Sequence, residues 1–241
     1  MVSFRMVTPL LKHPDFRRGV KAGLVAGVSF FFIFFSFGIY AMHRHFPAQL
    51  IPLFTILVYA APAQYAVVDM MGSSASIWQL ILVGVMVNVR FFVWGLAMSH
   101  EVRHVPLRKM LFWSYFVAAS TFLIPLFDKR KNPGSDFYTF YRGVVTAAFP
   151  MMLCGTLLGM AVQEALPPSL VFASSLLLPV YFGLLLVSDI KKKIEVFSVS
   201  LTFLVTPLVE IQFPGWGVIF SAVLLATTAL GARVWMRRAG W

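Results

Sequence analysis

The sequence is poor in charge, and above all in acidic residues. Only 12% of its 241 residues are charged and nine are Asp or Glu, whereas a soluble domain carries about 25% charged residues. A chain that is also 59% hydrophobic cannot cover a water-exposed surface, so we predict an integral membrane protein. The apolar runs are continuous rather than alternating, which favours helices over a β-barrel.

Cysteine and nucleotide-binding motifs are equally scarce. The single cysteine, Cys154, excludes a disulfide framework and a thiol pair for metal. Nothing matches a P-loop, a Rossmann fingerprint or a nucleophile elbow, so we expect no cofactor and no enzymatic activity. The net charge of +11 would suggest nucleic acid on a soluble chain. Here the basic residues lie between apolar runs, as in cytoplasmic loops, so we expect no nucleic-acid partner.

Long hydrophobic runs dominate what is present. At about 20 residues per span they predict an all-α polytopic membrane helical bundle of about eight transmembrane helices, or seven because two runs are short and contain proline. We expect one membrane transporter domain over residues 1–241. The runs lie at about 19–42, 49–71, 77–98, 106–127, 140–162, 170–188, 194–209 and 215–235.

The two halves of the chain, 1–130 and 131–241, resemble each other weakly. Phe16–Val20 is similar to Phe140–Val144, and the spacing of Gly38 and Pro47 recurs later in the chain. Internal repeats are typical of transporters, parallel with an even number of spans per half and inverted with an odd number. Chance similarity between apolar segments is the alternative interpretation.

The positions of the basic residues predict the orientation. With both termini in the cytoplasm, the cytoplasmic segments hold most of the Lys and Arg residues, as the positive-inside rule requires. We therefore predict a multi-pass protein of the inner (plasma) membrane, in contact with the lipid bilayer. The loop after the third run is an exception, because this orientation places its basic residues outside. They are Arg103, Arg108 and Lys109.

Arg90 is the one charged residue in the apolar run 77–98. A guanidinium at that depth costs about 2.5–3.5 kcal/mol on insertion scales, so a group inside the protein must compensate it. Arg90 would bind a substrate carboxylate or close a gate, or it would form a structural ion pair with Asp69. Asn88 lies two positions earlier, about 200° away on a helix, so a regular helix cannot present both on one face.

The segment Ala61-Pro62-Ala63-Gln64 interrupts the second run. A proline in mid-span removes a backbone hydrogen bond, and small residues let a neighbouring helix or a substrate approach. Gln64 then supplies two donors and an acceptor near the break, as in the broken helices of many transporters. The alternative is a simple proline kink in which Gln64 bonds to a neighbour.

The segment from His100 to His104 matches His-Glu-x-x-His, in which two histidines on one helix face bind zinc and the glutamate activates water. A membrane-embedded zinc metalloprotease is therefore an alternative function. Pro106 follows closely and makes His104 a poor ligand within a helix. The other interpretation, which implies no metal, is a solvated turn at the membrane surface.

Four parts of the sequence occur in an order typical of one family. A first span that begins with glycine runs through Phe37-Gly38, and Ala61–Gln64 stands where the family usually has Ala-Gly-Ser-Ala-Gln. Val87–Arg90 matches a Val-Asn-Leu-Arg-like string, and Gly143–Gly159 and a final span ending at Leu230-Gly231 complete the order. In these features the chain resembles the AzlC family, the large subunit of branched-chain amino acid exporters.

The resemblance implies export of branched-chain or other hydrophobic amino acids, together with a small AzlD-like membrane subunit. Arg90, Asn88, Gln64, Pro62 and Ala61 would then form the substrate site. Many members carry an acidic pair in the fourth span, which this chain lacks. Ion coupling, most simply by protons, would then use Asp69, the one clear acid near these motifs. A scaffold subunit whose partner carries the pathway is a further alternative.

Overall fold

The computed structural model describes residues 11–71, 76–189 and 193–212, together with 220, 223, 224, 227, 228 and 231. Every regular element among these residues is helical, which confirms the predicted all-α class. Two segments, Pro14–His43 and Phe137–Ala165, are long and apolar enough to cross a membrane, and shorter apolar helical stretches accompany them. The helices are α1 Pro14–His43, α2 Leu50–Leu57, α3 Ala61–Met71, α4 Ile77–Ser99, α5 Leu107–Ser114, α6 Ala119–Lys131, α7 Phe137–Val162, α8 Pro168–Ser175, α9 Leu177–Asp189 and α10 Lys193–Gln212.

The chain forms two compact units. The first contains the residues up to Val68 together with Val87–Leu178, and the second contains Asp69–Met86 together with the residues from Pro179 onward. The boundaries of these units fall inside α3, α4 and α9. The elements discussed in most detail below, from α1 to α8, lie mainly in the first unit.

The centre of the first unit is the pair α1 and α7, whose backbones are in direct contact. Near the beginning of both helices, a methyl group on Gly143 would overlap the carbonyl oxygen of Phe16. Near their ends, a methyl group on Gly159 would overlap the carbonyl oxygen of Phe35. The contacts advance together along both helices, so the two helices run parallel. Small residues at such an interface allow the close packing that holds helices together in lipid.

The contacts around this pair are reciprocal. Thr55 of α2 hydrogen-bonds to Thr156 of α7, with 3.3 Å between the hydroxyl oxygens. In return, Ser36 of α1 donates a hydrogen bond to the carbonyl oxygen of Ser174 in α8. The segment that follows each long helix therefore packs against the other long helix. The glycine contacts exchanged in the same way are those of Gly19 with Phe140 and of Gly143 with Phe16.

Helices α2 and α3 form a hairpin that returns to the end of α1 from which it started. The ring of Tyr59, between the two helices, lies 5.9 Å from that of Phe30 in the middle of α1. Farther along the chain, the ring of Tyr65 stacks 4.9 Å from that of Tyr40, near the end of α1. The side chain of Gln64 also reaches back to carbonyl oxygens of the α2 side. The run 49–71 therefore folds back on itself, whereas the sequence predicted a span.

Helices α5 and α6 form a second hairpin, which enters from the opposite end. The hydroxyl of Tyr141, near the beginning of α7, donates to the carbonyl oxygen of Trp113 at 2.7 Å. The ring of Phe116, after α5, lies 5.3 Å from that of Phe149 in the middle of α7. Asp128, near the end of α6, is back at the first turns of α1. The run 106–127 also turns at mid-depth, in contrast to the span predicted for it.

The turn after α4 lies at the end of the unit where α1 and α7 begin. Val102 in this turn is buried in an apolar cluster with Phe137 and Tyr141 of α7. The sequence placed this basic turn at the opposite end, because it counted 49–71 as a crossing. A hairpin that returns to its starting end reverses the direction of α4 and removes the exception to the charge rule. The basic residues involved are Arg103, Arg108 and Lys109.

A network of ion pairs connects α1, α6 and α7 at this end. Arg18 of α1 bonds to Asp15 at 2.5 Å and to Asp128 of α6 at 3.3 Å. The second oxygen of Asp15 accepts the backbone N–H of Asp136 at 3.0 Å. Asp136 in turn caps α7, because its side chain accepts the N–H groups of the first turn. The network sets the first turns of both long helices at the same level.

The distribution of polar and apolar side chains is that of a membrane protein. Large apolar side chains point outward from α1, where Val25 is 75% exposed and Phe32 is 53% exposed. Polar side chains are instead enclosed and hydrogen-bonded inside the first unit, because lipid offers them no hydrogen-bond partners. Those without any exposed surface are Ser36, Thr55, Gln64, Thr121 and Thr156.

The described part of the second unit contains α10 and most of α9. Along one face of α10, Thr202 donates to the carbonyl oxygen of Ser198 at 2.8 Å, and Thr206 to that of Thr202 at 2.7 Å. Elsewhere on α10, the side chains of Phe203 and Ile211 are 79% and 77% exposed. Thr side chains that bond to their own helix are common within membrane helices.

We predict that Gly143→Ala destabilises the fold, because the added methyl group overlaps backbone atoms of α1. Overpacking of this kind costs about 1–3 kcal/mol. The measurement is the unfolding temperature of the purified protein in detergent, followed by size-exclusion chromatography after heating. Gly84→Ala is the matched control, since a Cβ at this helical glycine would meet nothing within 4 Å. Equal unfolding temperatures for the two variants would contradict the glycine contact.

Candidate functional site

The two hairpins meet at their tips and line an open cavity of about 230 Å³. Each tip is the connection between two helices, at residues 58–60 in the first hairpin and at residues 115–118 in the second. Helix α4 passes beside the tips and contributes Asn88 and Phe91. The cavity is smaller than the roughly 300–1,000 Å³ of drug-sized ligand sites, so it suits one small molecule. The other lining residues are Leu57, Val58, Tyr59, Ala60, Ser114, Tyr115 and Val117.

Gln64 closes the tip of the first hairpin. Its amide nitrogen donates to the carbonyl oxygen of Val58 at 2.5 Å and to that of Phe54 at 3.3 Å. Carbonyls at a helix end have no partner in their own helix, and lipid offers none. Gln64 is fully buried and supplies the missing donor. The amide nitrogen therefore satisfies its own hairpin, whereas the Oε1 atom is buried without a partner among the described residues. The predicted contact of Gln64 with substrate stays a prediction.

Ala61 and Pro62 begin α3 directly after the tip. The sequence placed Pro62 in mid-span, where a missing N–H breaks the helix. In the structure the break lies at 58–60, and Pro62 occupies the first turn of α3, where the missing N–H is no loss. Ala61 and Ala63 are buried, and their small side chains fit between the neighbouring elements.

The tip of the second hairpin is closed by Thr121 and joined to the first by Tyr115. The Thr121 hydroxyl donates to the carbonyl oxygen of Phe116 at 2.7 Å and accepts the N–H of Ala118 at 2.8 Å. The Tyr115 hydroxyl donates to the carbonyl oxygen of Ile56, near the end of α2. This hydrogen bond connects two hairpins that enter from opposite ends of the unit.

Two side chains that line the cavity have a buried polar atom without a partner. They are Asn88, through its Oδ1 atom, and Tyr59, through its hydroxyl. No hydrogen bond to either atom occurs within the described part of the chain. An unpaired buried polar group costs about 1–3 kcal/mol, so each such atom requires an explanation, and a bound ligand would satisfy both. The sequence singled out Asn88 and missed Tyr59.

Tyr59 is held in place by four aromatic rings, which come from α1, α7 and the second hairpin. Its ring lies 5.9 Å from that of Phe30 on α1 and 5.9 Å from that of Phe149 on α7. Phe116 and Tyr115 of the second hairpin lie 5.9 Å and 6.3 Å away. Such a cage of rings orients the hydroxyl without bonding to it. Aromatic residues are frequent throughout the chain, so no local sequence pattern distinguished Tyr59.

Arg90 and Asp69 are not placed at the cavity by the structure. Arg90 lies on α4, two residues after Asn88, and its side chain is outside the described part of the chain. Asp69 lies near the end of α3, is exposed, and belongs to the second unit. The predicted roles of both residues, in binding and in ion coupling, stay predictions.

The His-Glu-x-x-His segment is a turn. Residues 100–104 follow the end of α4, and His100 and His104 are exposed. A zinc site of this type needs both histidines on one face of a helix. Within the residues that the structure describes, no three His, Cys, Asp or Glu side chains are grouped to bind a metal. The geometry favours the solvated turn over the protease.

Comparison with known proteins identifies relatives of this chain. The family model described as AzlC protein matches residues 26–166, which include α1 to α7 from the fourth turn of α1 onward. The chain is also 21% identical, over 182 residues, to inner membrane protein YgaZ of Escherichia coli (strain K12), covering 74% of each chain. No solved structure matches it.

Replacement of Gln64 by leucine should destabilise the first hairpin, because two buried carbonyl oxygens lose their donor. The expected cost is about 1–3 kcal/mol, seen as a lower unfolding temperature in detergent. Gln49→Leu serves as the control, because Gln49 is exposed and makes no capping hydrogen bond with its side chain. A Gln64→Leu protein as stable as Gln49→Leu would show that the tip does not need this amide.

Proposed function

This chain belongs to the AzlC family, and we propose that it is the membrane-embedded subunit of a secondary transporter that exports small hydrophobic amino acids, branched-chain ones first. The family is related to transport, and the relative YgaZ is an inner membrane protein. The observation that carries the proposal is the cavity between the opposed hairpin tips, with the unpaired polar atoms of Asn88 and Tyr59.

The chemistry of the cavity suits a zwitterion with an apolar side chain. Each tip places the carbonyl end of one helix beside the N–H end of the next, at α2 and α3 and at α5 and α6. Helix N-termini bind carboxylates, and carbonyl ends bind cations, in the broken helices of transporters. The first turns of α3 and α6 would hold the carboxylate, with Arg90 as a further cation. The side chain of the substrate would contact Leu57, Phe91 and Val117.

Asn88 and Tyr59 would bind the ammonium group in this arrangement. The Asn88 Oδ1 atom can only accept a hydrogen bond, and the Tyr59 hydroxyl can accept one. An ammonium group is a donor of three hydrogen bonds, so it satisfies both atoms at once. The substrate would approach closely to Ala61 and Pro62, whose small side chains leave room for it. Gln64 would hold the tip of the first hairpin through its hydrogen bonds.

The tips also provide a route for alternating access. The hydrogen bond from Tyr115 to Ile56 joins the hairpins on one side of the cavity. Movement of the first hairpin would open the site to one side of the membrane, and movement of the second hairpin would open it to the other. Each hairpin has both its ends at one membrane surface, so it can move without displacing a full span.

The proposal also includes a coupling ion, a partner subunit, an orientation in the membrane and an internal repeat. Protons are the proposed coupling ion, with Asp69 as the titrating group, and a small AzlD-like membrane subunit is the proposed partner. Both termini are proposed to lie in the cytoplasm. The first unit supports this for the N-terminus, because its end where α1 and α7 begin carries most of its basic residues. The reciprocal contacts of α1 and α7 support two parallel repeats, 1–130 and 131–241.

Replacement of Tyr59 by phenylalanine should reduce leucine, valine or methionine efflux about tenfold, since a hydrogen bond to a charged group contributes about 1.5–3 kcal/mol. Its hydroxyl has no partner among the residues that the structure describes, so the unfolding temperature should not fall. The measurement is efflux from cells or vesicles loaded with the amino acid. In the matched control Tyr65→Phe, which loses a 2.6 Å hydrogen bond to Ser36, stability should fall and substrate preference should not change. Full efflux by folded Tyr59→Phe would remove this residue from the site.

Arg90→Ala should abolish efflux if Arg90 binds the substrate carboxylate, because the cavity then lacks its strongest cation. The exposed Arg17, changed to alanine in the same way, is the control and should transport normally. Full efflux by a membrane-inserted, folded Arg90→Ala protein would exclude Arg90 from the mechanism. Each assay is run with this chain alone and with a co-expressed small subunit. If mutations in the partner abolish transport and mutations in this chain do not, the scaffold alternative is supported.

A further inference from the structure

A second, larger cavity lies at the end of the first unit where α1 and α7 begin. It is a groove of about 490 Å³ between the last turns of α4, helix α5 and the first turns of α7. Its lining is almost entirely apolar, and three of its side chains, Phe92, Leu96 and Leu111, are 69%, 58% and 62% exposed. The groove therefore opens outward along the surface of the unit and is not part of a closed core.

Arg142 lies at the edge of this groove between two aromatic rings. Its guanidinium carbon is 5.5 Å from the ring centre of Trp113 and 5.3 Å from that of Tyr138. Both rings also line the groove. The planar contacts orient the guanidinium while they leave its N–H groups free to donate. Arg142 is half-buried, and its Nε atom is buried without a hydrogen-bond partner among the described residues.

The charge of Arg142 is not balanced within the described part of the chain. No carboxylate there lies within ion-pair distance of it, whereas Arg18, in the corresponding position on α1, pairs with both Asp15 and Asp128. The nearby Asp136 uses its oxygens to cap the first turn of α7. The exposed part of a half-buried guanidinium that has no carboxylate partner can bind an external anion.

The surroundings decide which anion fits. The turn that precedes α5 and the start of α5 carry three exposed basic side chains at the same end of the unit. This basic end attracts anionic headgroups, which contribute affinity for each Lys or Arg near the surface. The groove beside the cation accepts a long apolar chain, which inorganic phosphate does not have. The basic residues are Arg103, Arg108 and Lys109.

We propose that this groove binds an anionic phospholipid, with the phosphate on the guanidinium of Arg142 and one acyl chain along the groove. The acyl chain would lie against Leu96 and Leu111. Three residues of the groove, Phe91, Ser114 and Val117, also line the cavity at the hairpin tips. The bound lipid therefore braces α5, the first arm of the second hairpin, and its presence sets how readily that hairpin moves.

The test measures lipid binding by the full-length purified protein, independently of transport. Phosphatidylglycerol and phosphatidylcholine with the same acyl chains are titrated into delipidated protein, and binding is read by native mass spectrometry and by the shift in unfolding temperature. We expect the anionic lipid to bind more tightly and to raise the unfolding temperature. Replacement of Arg142 by glutamine should weaken phosphatidylglycerol binding about fivefold or more, because the headgroup loses one cation. Equal binding of both lipids by the wild-type protein would overturn the proposal.

Two further variants separate the site from general charge and from misfolding. Arg130→Gln removes another arginine at the same end, one that stacks on Phe127 away from the groove, and it should bind phosphatidylglycerol normally. Gly95 lines the groove, and a Cβ there would meet nothing within 4 Å. Gly95→Phe should therefore fill the groove and weaken lipid binding without a loss of stability.

The remaining outcomes are also decisive. Gly84→Phe, at a helical glycine with the same open space, should leave lipid binding unchanged. If inorganic phosphate alone raises the unfolding temperature as much as the lipid does, the groove is not used and the proposal fails. If Arg130→Gln and Arg142→Gln weaken binding equally, the attraction is general and the site is not specific.

Discussion

The fold depends on the backbone contact between α1 and α7. Within a bilayer, lipid is as apolar as any side chain, so helices associate through close packing and hydrogen bonds and not through the hydrophobic effect. Glycines on both helices make this packing possible, since a single methyl group on Gly143 or Gly159 would meet backbone atoms. Thr55 and Ser174, from the segments that follow the two helices, are then hydrogen-bonded to the opposite long helix. The hairpins rest on the paired helices.

A second constraint, the absence of water, explains the polar residues at the hairpin tips. A chain that turns at mid-depth exposes carbonyl and N–H groups, which must be satisfied by protein. Gln64, Thr121 and Tyr115 provide these hydrogen bonds in the described part of the chain. These side chains are polar because the backbone groups at the tips need hydrogen-bond partners from the protein. Asn88 and Tyr59 each keep a buried polar atom without a partner among the described residues, as Gln64 does through its Oε1 atom. We propose that the atoms of Asn88 and Tyr59, which line the cavity, bind the substrate.

The sequence predicted the class and the break near Pro62, because each has a local signal. It also singled out Asn88, which lines the cavity and whose role in substrate binding stays a prediction. Mean hydropathy and run length are local properties, and so is a proline after small residues. The course of the two hairpins could not be predicted in this way. A run of about 20 apolar residues has the same composition whether it crosses or turns back. Only the contacts of Tyr59 with Phe30 and of Tyr65 with Tyr40 show the reversal.

The hydrogen bond between Thr55 and Thr156 has a consequence for biosynthesis. The two residues are 101 positions apart, and ribosomes add about 5–20 residues per second. The first hairpin is therefore made roughly 5–20 s before α7, the helix on which it rests, has been synthesised. During that interval its polar tip has no second long helix to cover it. The chain must hold the hairpin at the membrane surface, or against the insertion machinery, until the later helix arrives.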